Sequence, residues 1–84
     1  MRRVGVAQSV RGARGWIWLD GAHLLFVPVT PTRAGGSTRV YMDAVPPDAD
    51  PADVFRRAHR WCDQHRLSIV EVDPEFRDGR QTEL

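Results

Sequence analysis

Lysine is absent from this chain: all twelve of its cations are arginine. GC-rich coding alone produces such a bias. The functional alternative is that planar guanidinium forks serve phosphate or carboxylate recognition. Eleven carboxylates hold the formal net charge to +1. That balance argues against a dedicated phosphate binder, whose footprint is a strongly basic domain.

Cysteine is almost absent too. Cys62 is alone, so no disulfide can staple the monomer. A single core of this size seldom supplies more than about 3–5 kcal/mol without a metal or a partner. Long apolar runs are missing: the longest block, HLLFVPV at 23–29, is far short of the roughly 20 residues of a spanning helix. The basic opening MRRVGVAQSVRGARG is not followed by the apolar run of a signal peptide. The expectation is a cytoplasmic protein with a reduced thiol and no membrane partner. No repeat, low-complexity tract or linker interrupts residues 1–84, so one domain is expected.

Chemical motifs are equally scarce. No glycine-rich phosphate loop follows a strand, and no set of acid, base and oxyanion donor can be assembled. This implies a non-enzymatic protein without a cofactor.

What is present points to fold. RVGVAQSV, residues 3–10, alternates as a strand with Val4, Val6 and Val10 on one side. RGARG is a loop. WIWL and AHLLFVPV flank Asp20-Gly21, a strong hairpin signal because glycine tolerates the positive φ of a tight turn. Centring the turn there pairs Leu19 with Ala22, Trp18 with His23, Ile17 with Leu24 and Trp16 with Leu25. Pro28 lacks a donor and belongs at an edge or a bulge. Residues 30–37 form a loop. TRVYMDAV, 38–45, alternates again, with Val40, Met42 and Ala44 opposite Arg39, Tyr41 and Asp43.

A helix is expected over about 51–65. Asp50 suits the N-cap, Pro51 the first helical position and Asp53 the positive end of the helix dipole. Val54, Phe55, Ala58, Trp61, Cys62 and His65 share its apolar side. LSIVEVD, 67–73, reads as a final strand, and a polar tail from about 74 has Phe76 as its one anchor. The order is β-β-β-β-α-β, an α+β fold: a four-stranded antiparallel meander, one amphipathic helix and a last strand parallel to 38–45.

Two consequences bear on function. The loops at 11–15 and 30–37 leave the same end of the sheet and gather Arg11, Arg14, Arg33 and Arg39, while Asp20, Asp48, Asp50, Asp53, Asp73 and Glu75 collect at the other. The hairpin, moreover, is apolar on both faces: Trp16, Trp18, His23, Leu25 and Val27 on one, Ile17, Leu19, Leu24 and Phe26 on the other. An antiparallel sheet with one wet face alternates apolar and polar, and one short helix covers only one side. The remaining face must curl into a barrel, meet a second copy or bind something.

The metal readings are weak. His59, Cys62 and Asp63 have helical i, i+3, i+4 spacing, but they lack a second ligand pair. PDADPAD lacks the glycine and distal glutamate of a calcium loop. No metal site is expected. The reading that results is a binding module acting through protein–protein contact, as a homodimer or an adaptor. Trp16, Trp18, His23, Leu25 and Tyr41 are its contact residues. The alternative is a nucleic-acid-binding protein, with Arg11, Arg14, Arg33 and Arg39 on phosphates and sheet aromatics stacking bases.

Overall fold

The helix begins where its cap residues place it. In the structure, a computed structural model describing residues 1–29 and 39–77, Asp50 is extended and its carboxylate accepts the Asp53 backbone N–H at 2.8 Å. Pro51 opens helix α1, Pro51–Gln64. The helix stops one residue before the expected boundary. His65 caps it, its N–H donating to the Trp61 and Cys62 carbonyls, and Arg66 turns into the left-handed region at φ 59°. A left-handed residue just past the cap is a common helix stop, usually filled by glycine.

Five strands form one antiparallel sheet: β1 Arg2–Ser9, β2 Arg14–Asp20, β3 His23–Pro28, β4 Val40–Ala44 and β5 Leu67–Val72. Their spatial order is β4-β3-β2-β1-β5. The first four make the expected meander, and β5 returns to pair with β1. Thus β4 and β5 run in the same direction at opposite edges, and α1 crosses one face between them. A last helical turn, α2 Pro74–Arg77, follows β5.

The core lies between α1 and that face. Ile17, Leu19, Leu24 and Met42 from the sheet meet Val54, Ala58 and Cys62 from α1, with Phe76 of α2 closing one end. Each fully buried large side chain contributes about 1.5–3 kcal/mol. Phe76 is completely buried, so residues 74–77 are part of the fold and not a polar tail. The Arg77 guanidinium donates to the Val72 carbonyl and Arg2 lies over the Phe76 ring.

Strand alternation misassigned several residues, and each case has a physical cause. The hairpin turn is centred on Gly21-Ala22, so the pairs are Asp20 with His23, Leu19 with Leu24, Trp18 with Leu25 and Trp16 with Val27. Only Gly21 has positive φ, at 59°, which suits glycine as the first central residue of a two-residue turn. The slip is two residues, so both faces keep the expected side chains. Bulges account for the rest. One at Arg3–Gly5 sends Val4 into the core and Val6 to the opposite face, beside Trp16. Val10 lies beyond β1, fully exposed. One in β4 buries Met42, turns Asp43 toward the helix side and puts Ala44 opposite His23 on the other. Pro28 ends an inner strand, but described pairing with β4 stops at Phe26, so no ladder bond is lost.

Candidate interaction surface on the open sheet face

Opposite α1, the sheet is uncovered among the described residues. Along β2, alternation places Arg14, Trp16, Trp18 and Asp20 on this face, while Gly15, Ile17 and Leu19 are buried beneath the helix. β3 adds His23, Leu25 and Val27 through the pairs Asp20–His23, Trp18–Leu25 and Trp16–Val27. β4 adds Tyr41, paired with Leu25. All five residues expected to contact a partner (Trp16, Trp18, His23, Leu25 and Tyr41) therefore share one surface.

The aromatic groups are ordered against one another. The Trp16 and Trp18 rings meet edge to face, 6.2 Å apart at 88°. His23 and Tyr41 form a second tilted pair at 5.6 Å. Such pairs add about 0.5–1.5 kcal/mol beyond area burial. Trp16 is nevertheless 39% exposed and Tyr41 55%. Trp18, Leu25 and Val27 are half-buried.

Three further residues belong to this surface. Val6 is buried although it stands outside the helix-side core; it lies opposite Trp16 and forms the floor of the face. Gln8 lies opposite Arg14 and accepts two bonds from its guanidinium fork, at 3.3 and 3.1 Å. Val70 of β5 is half-exposed beside it. Gly5 is the sequence signal for Val6, because a glycine inside a strand marks a bulge or a close backbone approach. Here it is both: a Cβ on Gly5 would collide with the Glu71 carbonyl.

Strand directions bring Arg11, Arg14, Arg39 and Arg66 to one end of the sheet. None forms a salt bridge with a carboxylate among the described residues. Arg33 lies outside the described residues. The acidic end is partly neutralised, because Arg2 and Arg3 open β1 there. Arg2 pairs with Glu75, Arg3 with Asp73 at 3.7 Å, and Arg56 and Arg57 with Asp53 at 3.3 Å each. The Arg57 hydrogen bond, with the Arg57 charge and Arg56 behind it, holds the Asp53 carboxyl below its ordinary value against the opposing effect of desolvation.

On α1, Cys62 is buried in the core while His59 and Asp63 are exposed. Burial first, and the nearby Asp63 charge second, push the Cys62 thiol up to about 11. A thiol that stays protonated is a poor nucleophile. The described residues contain no cluster of three or more His, Cys, Asp or Glu side chains able to hold a metal ion, and no helix among them is long and apolar enough to cross a membrane.

Compared with known protein families, curated proteins and solved structures, the chain matches none.

Proposed function

We propose that the protein is a non-enzymatic binding module that uses the open sheet face for protein–protein contact, and that its partner is a second copy of itself. The carrying observation is the stripe along β2: Arg14, Trp16, Trp18, Asp20. Read backwards, it is its own complement. A two-fold axis in the interface, perpendicular to the strands near Ile17, sets Arg14 against Asp20 of the copy and Trp16 against its Trp18. Isologous dimers need such self-complementarity. Tryptophan and arginine are also the residue types that dominate interface energetics.

The test is the oligomeric state by light scattering and sedimentation across micromolar concentrations. A dimer is expected. Arg14→Asp sets like charges together and should weaken it roughly tenfold, about 1.4 kcal/mol; Arg14→Asp combined with Asp20→Arg should restore it. A monomer at every concentration, or a dimer indifferent to Trp16→Ala and to Arg14→Asp alone, overturns the proposal.

Arg11, Arg14 and Arg39, which have no carboxylate partner among the described residues, support a second reading, in which they and Arg33 hold the phosphates of a single strand whose bases stack on Trp16 and Trp18. It requires binding of an oligonucleotide that weakens steeply with salt and with Arg11→Ala plus Arg14→Ala.

A further inference from the structure

The two flanks of α1 differ. Toward β4 the space is bridged: Arg57 donates to the Ala44 carbonyl at 3.3 Å, and Arg57 and Arg60 each lie 3.7 Å from the Asp43 carboxylate. Trp61 packs on Phe26 on the same flank. Toward β5 no hydrogen bond or salt bridge joins helix and strand side chains among the described residues. A cleft of about 300 Å³ lies there, lined by Phe55, His59 and Asp63 of α1 and by Leu67, Ser68 and Ile69 of β5. The three helix residues are four apart, so they form one stripe facing the strand.

The cleft coincides with an open sheet edge. β5 is an outer strand, and along 67–69 it keeps a regular register with β1; its bulge comes after Ile69. Its outward backbone groups have no strand neighbour among the described residues. Natural edges are usually blunted by shortness, bulges, charge or proline. β4 is blunted in these ways, with five residues, a bulge at Met42, Asp43, and Pro46-Pro47 close behind. In β5 the bulge, Glu71 and Pro74 all come after Ile69, so Leu67-Ser68-Ile69 itself carries no bulge, charge or proline.

We propose that this cleft binds an extended peptide, which adds as a sixth strand antiparallel to β5 and seats an aliphatic side chain against Phe55, Leu67 and Ile69. Strand addition beside a helix takes its affinity from backbone bonds and its selectivity from alternate side chains. The rim charges set that selectivity. α1 and β5 run in opposite directions, so Asp63 stands by the start of β5 and Arg56, which also reaches Asp53, lies further along it. Asp63 and His59 form no salt bridge among the described residues. An antiparallel peptide therefore presents an acidic residue first, toward Arg56 and His59, then its aliphatic residue, then a basic one toward Asp63. This site is on the other side of the sheet from the dimer surface proposed above and does not depend on it.

The test uses the full chain, labelled with ¹⁵N, titrated with the capped heptapeptide Thr-Glu-Thr-Leu-Thr-Lys-Thr. Saturable shifts are expected at the amides of Ser68, Ile69, His59 and Asp63. The charge-swapped peptide Thr-Lys-Thr-Leu-Thr-Glu-Thr should bind about fivefold more weakly, the scale of exposed ion pairs, and Asp63→Arg, at an exposed position, should abolish that preference, since each peptide then meets one opposite and one like charge. Two N-methylated peptides, one modified at Glu, Leu and Lys and the other at the intervening Thr residues, test the backbone pairing: one of them must lose binding. Absence of shifts at β5 at millimolar peptide, shifts confined to the Trp16 face, or equal binding by both methylated peptides overturns the proposal.

Discussion

The ring of Phe26 occupies the space a side chain at residue 15 would need: a Cβ on Gly15 would overlap three of its ring carbons. Gly15 is buried in β2 between Ala7 and Pro28, and the Phe26 ring lies between it and Trp61. Glycine here makes room for packing, not for an unusual backbone angle. Gly15→Ala should therefore destabilise by about 1–3 kcal/mol, as overpacking does. Each kcal/mol lowers Tm by about 4–8 °C in a domain of this size. A thermal melt by circular dichroism measures it, and an unchanged Tm would mean the ring moves aside freely.

Arg66 offers the opposite change. It holds φ 59° just past the α1 cap, where a Cβ costs about 1–2 kcal/mol. Arg66→Gly should raise the urea midpoint without altering the m-value, since the surface exposed on unfolding stays the same. A lower midpoint would show that the Arg66 side chain makes a stabilising contact.

Cys62 should resist thiol reagents in the folded state at pH 8. Two barriers act together: the side chain is buried, and its thiol is pushed up to about 11. Labelling should then proceed only through opening of the core and accelerate as urea approaches the unfolding midpoint. Fast labelling without denaturant would place the thiol at the surface.

Much of this architecture is legible in the sequence because the deciding signals are local. Asp50, Pro51 and Asp53 mark the helix start by cap chemistry alone. The two hairpin faces follow from alternation in WIWL, and the count of one helix against two apolar faces leaves one of them open; that it is the Trp16 face is decided by how α1 packs. What alternation cannot show is where a strand gains a residue. Val6, Asp43 and Ala44 changed faces through bulges set by pairing across the sheet. The cleft beside β5 is hidden for a similar reason. It joins residues eight positions apart on a helix to an edge strand, and edge status depends on β5 returning to β1, a choice made by tertiary packing.

Acid should weaken the protein partly through Asp53. Its carboxyl is held below the ordinary value, chiefly by the Arg57 hydrogen bond. A depressed pKa contributes stability above the unfolded value and loses it as pH falls through the folded one. Urea midpoints between pH 6 and pH 2 should therefore fall less steeply for Asp53→Asn than for the unaltered protein. Parallel profiles would remove Asp53 from the acid response.

The pairing of Gly5 with Val72 joins the first strand to the last. The meander's hairpins are local and close quickly, whereas this ladder must wait for a loop spanning most of the chain. Until β5 arrives, β1 is a bare edge carrying Val4, Gly5 and Val6, the most template-like surface the protein ever shows. Off-pathway association should therefore be greatest early in refolding and suppressed by anything that hastens the docking of β5.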